Sequence, residues 1–368
     1  MRAVLVAGAR PNFMKVAPVL WALEAAGAEV VLVHTGQHYD EKMSDVFFSD
    51  LGLRSPDVNL GVGSGTQAHQ TAAVMTAFES LVGELAPDVV VVFGDVNSTV
   101  ACGLVTAKSG ARLAHVEAGL RSRDWAMPEE VNRVVTDRLS DYLLAPSADA
   151  CANLRAEGYR DDQISLVGNV MVDTLVGNLD RARERPILDD LGLPRGGYVL
   201  VTLHRPSNVD DPERLAAISS ALVDLADELP VVFPAHPRTR AQLPAEGLGA
   251  LRIIEPCGYL DFVALEDSAA VVLTDSGGVQ EETTMLGVPC LTFRDSTERP
   301  ITVTEGSNRV MGTDPGDIVP AVRAALSLPR EFPVPELWDG RAGERIARVL
   351  VDAHGRNRPR PTDLAGEA

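Results

Sequence analysis

At 368 residues the chain exceeds what one hydrophobic core comfortably supports, so two domains are expected. A composition of 45% hydrophobic and 23% charged residues reads as a globular protein, and a formal charge of -19 argues against nucleic acid or an anionic membrane as partner. The four cysteines (Cys102, Cys151, Cys257, Cys290) form no C-x-x-C pair, which points to a reducing, cytoplasmic setting without a disulfide or zinc framework.

The N-terminal "MRAVLVAGARPN" is too short for a signal peptide and reads as a first buried strand. No apolar run is long enough to span a bilayer. From there, short apolar runs alternate with helically periodic segments. The first series of strands comprises "RAVLVAGA" (2–9), "EVVLVHTG" (29–36), "DVVVVFGD" (88–95), "ARLAHVEAG" (111–119) and "DYLLAPS" (141–147). The segments between them, such as "KVAPVLWALEAAG", carry helical spacing. A second series begins at "GYVLVTLHR" (197–205) and continues with "LPVVFPAHP" (229–237), "LRIIEPCG" (251–258), "AAVVLTDSGG" (269–278) and "VPCLTFRD" (288–295). Strand–helix alternation repeated in this way predicts an α/β fold of two Rossmann-like, doubly wound parallel-sheet domains with an interdomain cleft. The expected division is 1–170 and 171–339, with the helix 340–354 packing back on the first domain and a frayed tail at 355–368.

Ligands of such sheets bind beyond the carboxyl ends of the strands, and there the chain repeatedly sets glycine beside a titratable residue. In "TDSGGVQEE" a Ser276-Gly277-Gly278 turn between strand and helix leaves backbone N–H groups facing a potential phosphate. Glu282 follows within reach of a sugar diol. The alternative is that Asp275 and Ser276 only cap the helix while Glu281 and Glu282 complement its dipole. In "GARPNFMK", Arg10 is placed for a diphosphate, with Lys15 on the first turns of the next helix. Arg299 in "RDSTERP" is either a ligand contact or a solvated loop arginine. Asp95, Glu117 and Glu129 occupy strand ends or the loop beyond and suit proton transfer, although Glu129 could simply compensate a helix dipole. His204 is a phosphate donor or a satisfied turn histidine. His34 and His38 have i, i+4 spacing without an H-E-x-x-H, so no metal is expected. The lack of Tyr-x-x-x-Lys disfavours hydride chemistry on a nicotinamide, and no cofactor is expected.

Taken in order, "GARPNFMKVAPV", "HTGQHYD", "FGDVNST", "HVEAGLRS", "MPEEVNR", "VTLHR", "TDSGGVQEE" and "RDSTERP" resemble the motifs of the non-hydrolysing UDP-N-acetylglucosamine 2-epimerases, over roughly residues 3–315. The resemblance implies a GT-B arrangement, a UDP-sugar substrate, a homodimer, and interconversion of UDP-GlcNAc and UDP-ManNAc, a precursor of cell-surface polysaccharide. It implies catalytic roles for Asp95, Glu117, Glu129 and His204. UDP-sugar contacts would come from Arg10, Lys15, His236, Tyr259, Ser276, Gly277, Gly278, Glu282 and Arg299, with the loop 255–262 covering the uracil. Gln37, His38 and Gln70 would lie near a second, activating UDP-sugar. Asn12, "HRPSN" and His69 depart from the family's usual residues and leave room for epimerisation of UDP-2,3-diacetamido-glucuronate. A GT-B glycosyltransferase would share the fold and nucleotide grip but would need an acceptor.

Overall fold

Val-rich runs buried on both faces form the strands, as a parallel sheet covered by helices requires. A computed structural model describes residues 1–8, 10–36, 50–243, 247–328 and 330–355, with Arg10 and Pro11 in backbone only. The chain divides into two compact units, Met1–Val176 with the segment from Glu336 onward, and Gly177–Pro335.

The first unit carries β1 (Arg2–Ala7), β2 (Glu29–His34), β3 (Val58–Asn59), β4 (Val89–Phe93), β5 (Arg112–Val116), β6 (Tyr142–Ala145) and β7 (Ile164–Leu166). Their order is β3-β2-β1-β4-β5-β6-β7, and every pairing is parallel. The second unit repeats the plan with β8 (Val199–Thr202), β9 (Val231–Pro234), β10 (Arg252–Ile254), β11 (Val271–Thr274), β12 (Cys290–Thr292) and β13 (Asn308–Val310). Its order is β10-β9-β8-β11-β12-β13, again all parallel. Both are doubly wound sheets, and in each the winding reverses where the first strand meets the fourth. A crevice opens at the carboxyl ends of those two strands, so β1/β4 and β8/β11 mark where ligands should bind.

The unit boundary falls inside the helix Val170–Arg183, not in a loop. The first half of that helix is tied to the first unit. Val170, Met171, Val172 and Leu175 are buried, and the Thr174 hydroxyl donates to the Met14 carbonyl. Asp173 accepts the N–H groups of Ala342 and Gly343 at 2.9 and 2.7 Å, and so caps the helix Ala342–Gly355 from another element. That last helix lies on Arg10–Ala25, with the buried Gly343 against Pro18. A Cβ at Gly343 would stand 2.5 Å from the Pro18 carbonyl oxygen, a backbone atom that cannot rotate away. Gly343→Ala is therefore expected to destabilise the first unit by about 1–3 kcal/mol through overpacking. Denaturant unfolding checks this, and an unchanged midpoint would show the two helices able to separate without loss.

Candidate active site and nucleotide grip

At the β1/β4 switch point, backbone geometry and charge are arranged together. Asn12, buried in the first turn of Arg10–Ala25, accepts the Gly8 N–H at 3.1 Å and donates to the Phe93 carbonyl at 3.3 Å. This ties the end of β1 to the end of β4. Glu117 follows β5 with φ of 73°, a left-handed conformation that is uncommon for a residue with a side chain and concentrates at functional sites. Its side chain is 2% exposed and ion-pairs with the Lys15 ammonium. A Cβ at Gly94 would lie 3.0 Å from both the Glu117 carboxylate and the Lys15 ammonium, so a glycine at the end of β4 makes room for the pair.

Asp95, next in chain, is partly exposed and ion-pairs with Arg133 of the helix Pro128–Leu139. Arg133 also binds Glu130, which accepts the backbone N–H groups of Ser122 and Arg123 at 2.9 and 2.8 Å. Burial works to raise the Glu130 carboxyl, but those N–H groups, Arg133 and the Ser122 hydroxyl hold it below its ordinary value. Below the turn lies His115, fully buried, with Nδ1 2.6 Å from Asp137 and Nε2 2.7 Å from the Gly94 carbonyl. The carbonyl before Asp95 is thus gripped from the sheet side.

Several expectations change here. Lys15, expected among the UDP-sugar contacts, ion-pairs with Glu117, because a carboxylate this deeply buried needs an opposite charge. Glu129 is exposed, and among the described residues it has no hydrogen bond or ion pair, whereas its neighbour Glu130 is the buried, ligated carboxylate. Gln70, expected to face a second nucleotide sugar, is buried instead. Its amide accepts from Asn97 at 2.8 Å and donates to the Gly63 carbonyl at 3.1 Å. Gln37 and His38 lie outside the described residues, as do the Arg10 side chain and the tail beyond residue 355.

The β8/β11 switch point presents the other half of the chemistry. Asp275, wholly buried after β11, does not cap the following helix. It accepts the backbone N–H groups of His204 and Arg205 and the Asn208 amide at 2.9–3.1 Å, and lies 2.8 Å from His204 Nδ1. Burial opposes its charge, yet the His204 imidazole, the Asn208 amide and the Arg205 N–H keep the carboxyl below its ordinary range. His204 is thereby oriented by Asp275, with its side chain 59% exposed at the end of the strand. Ser276 holds the N-cap position of Gly277–Leu286, but its hydroxyl makes no cap hydrogen bond. The Ser276 N–H donates to the Thr274 hydroxyl at 3.0 Å, and the start of the helix follows at Gly277 and Gly278. His236 is exposed and accepts the Arg238 N–H at the start of a four-residue helix.

Arg299 is not a solvated loop residue. It is 7% exposed, its Nε lies 2.8 Å from Glu281, and Nη1 lies 2.5 Å from Glu298. A Cβ at Gly277 would fall 2.3 Å from that guanidinium, so Gly277 is small to admit Arg299 as well as to expose backbone. Gly278 continues the turn, partly exposed. Glu282 is buried, and Tyr259 donates its hydroxyl to Glu282 Oε1 at 3.1 Å. Tyr259, expected in a loop over a base, is instead 4% exposed in the first turn of Tyr259–Asp267 and supports Glu282 from within. Asp275, Glu130, Arg133 and Glu281 were not singled out from sequence as site residues. The available signal was Arg133 three residues after Glu130, an ion-pairing interval on a helix.

A sequence model of the family described as UDP-N-acetylglucosamine 2-epimerase matches residues 22–351. The UDP-N-acetylglucosamine 2-epimerase of Methanocaldococcus jannaschii is 41% identical, over 95% of this chain and 99% of its own. Its crystal structure in complex with UDP-GlcNAc and UDP superposes with a TM-score of 0.89, covering 96% of this chain and 100% of that one. The UDP-2,3-diacetamido-2,3-dideoxy-D-glucuronate 2-epimerase of Pseudomonas aeruginosa is 40% identical over 95% of this chain and 99% of its own. With carboxylates and a glycine-rich helix start at its two switch points, and a match spanning most of its length, the chain belongs to the UDP-N-acetylglucosamine 2-epimerase family.

Proposed function

We propose that the protein interconverts UDP-GlcNAc and UDP-ManNAc by eliminating UDP to a glycal and adding it back with inversion at C2. The C2 hydrogen of the sugar is not acidic, since no carbonyl is adjacent. As the C1–O bond to UDP breaks, positive charge develops at C1 and the C2 proton becomes removable. One carboxylate of the first unit takes that proton, with the electron pair of the C–H bond forming the C1–C2 double bond. Protonation at C2 from the opposite face and return of UDP to C1 complete the inversion. Asp95 and Glu117 are the acid/base pair in this reading, and Glu129, exposed at a helix start, is the third carboxylate available to the sugar.

The observation that carries the proposal is the helix start at Gly277-Gly278, whose N-cap Ser276 makes no side-chain cap hydrogen bond, beside an imidazole oriented by Asp275. Such donors stabilise charge on a departing diphosphate. Glu282 takes the ribose diol and Arg299 braces the turn. His204 and His236 follow the carboxyl ends of the neighbouring strands β8 and β9, and Arg10 and Lys15 belong to the first unit's share of the substrate. No cofactor enters any step. The resemblance further supports a homodimer, a cytoplasmic location and a product used for cell-surface polysaccharide. Among the described residues, no helix is long and apolar enough to cross a membrane.

Turnover of UDP-GlcNAc in D₂O tests the mechanism, since the proton delivered to C2 must come from a group that exchanges with water. Deuterium at C2 of the recovered UDP-sugar is expected, with slow release of free glycal and UDP. Unlabelled product would overturn elimination and addition. The Pseudomonas relative, nearly as similar as the archaeal one, favours a second reading in which the sugar is UDP-2,3-diacetamido-glucuronate. Offering both sugars separately decides between them.

A further inference from the structure

Behind the ribose-binding position assigned to Glu282 lies a second carboxyl, Glu266, near the end of the helix Tyr259–Asp267. Glu266 is wholly inaccessible to solvent, and neither of its oxygens has a hydrogen-bond donor among the described residues. The side chain it meets is the carboxyl of Glu282, itself 4% exposed. Two carboxylates cannot hydrogen-bond to each other, because an ionised carboxylate only accepts. They can do so when one of them carries a proton. The surroundings enforce this. Tyr259 and Asp267 on the same helix, Tyr198 before β8, Glu281 on the neighbouring helix and Cys290 on β12 are the titratable groups facing the pair. None is a cation, and the guanidinium groups around them are committed elsewhere: Arg299 to Glu281 and Glu298, Arg183 to Asp267, and Arg195 to the Ser268 hydroxyl.

We propose that Glu266 is a positioning residue for nucleotide binding: it stays protonated and donates its O–H to Glu282, which, held also by the Tyr259 hydroxyl, presents its remaining lone pairs to the ribose diol. The inference rests on the nucleotide role proposed for Glu282. Burial first, then the Glu282 charge, pushes the Glu266 carboxyl well above its ordinary range, and burial brings Glu282 to about 7. The two share one proton and titrate as a pair. Losing that proton at high pH would leave two buried anions in contact, and their repulsion would swing Glu282 out of line. Affinity for the nucleotide should therefore hold once Glu282 has ionised and fall only at alkaline pH, as Glu266 gives up its own proton.

The test is titration of UDP by calorimetry from pH 6 to 10 against wild type, Glu266→Gln and Glu266→Leu, with saturated turnover measured beside it. Ionisation of the diphosphate is common to all three proteins, so differences between them report the pair. Wild type should lose affinity at the alkaline end of this range. Glu266→Gln, which keeps a donor but cannot lose a proton, should bind as wild type does at pH 7 and remain flatter above it. Glu266→Leu should bind about tenfold more weakly at every pH, the scale of one hydrogen bond to a charged group, with kcat nearly unchanged. Equal affinity in Glu266→Leu, or a wild-type pH slope retained in Glu266→Gln, would overturn the inference. If Glu266→Leu fails to fold, the comparison of Glu266→Gln with wild type decides alone. A wild-type protein that binds no UDP would instead remove the nucleotide reading itself.

Discussion

Glu117→Gln is expected to lower turnover by about 10²–10⁴-fold, the usual contribution of a general acid or base, while UDP affinity stays nearly unchanged. Glutamine keeps the shape of the side chain but cannot accept the C2 proton. Its residue lies on the first unit, whereas the groups assigned to the nucleotide lie mainly on the second. Asp95→Asn should behave in the same way. Both variants also disturb an ion pair, Glu117 with Lys15 and Asp95 with Arg133. Unfolding midpoints should accompany the kinetics, since a buried ammonium left without its carboxylate is costly. Turnover by NMR and UDP affinity by calorimetry separate the cases. A Glu117→Gln enzyme with near-native turnover would remove Glu117 from the proton chemistry.

The second large effect is on stability. Arg299→Ala should destabilise the second unit by about 3–5 kcal/mol, the usual cost of breaking a buried ion pair. Its guanidinium is shared by Glu281, 1% exposed, and Glu298, 4% exposed. Arg294 and Arg205 also stand near Glu298, at 2.8 and 4.0 Å, so most of the loss is expected at Glu281. Arg299→Lys should recover little, because one ammonium cannot reproduce a fork that reaches one carboxylate through Nε and another through Nη1. UDP binding should weaken in both variants as the Gly277 turn loses its brace. Denaturant unfolding must resolve the two units, since a two-unit chain need not unfold in one step. A second-unit transition unmoved in Arg299→Ala would refute the bracing role.

The longer strands and the repeated doubly wound plan were legible from the chain alone. Runs such as Val89–Phe93 and Val271–Thr274 are continuous apolar stretches, which only strands buried on both faces tolerate. β3, β7 and β13 were not legible, because strands of two or three residues at or beside a sheet edge carry no periodic signal. The Ser-Gly-Gly turn announced the junction of β11 with the helix Gly277–Leu286, since glycines after an apolar run mark where a strand ends. What the sequence could not say was how charges pair. Lys15 meets Glu117 across 102 residues and Asp275 holds His204 across 71. Whether a lysine serves a phosphate or a carboxylate depends on which atoms lie within a few ångströms after folding. Glu129 and Glu130 show the same limit at closest range. Adjacent on one helix, they point about 100° apart at 3.6 residues per turn. Packing against Ser122, Arg123 and Arg133 buried one of them and left the other in solvent.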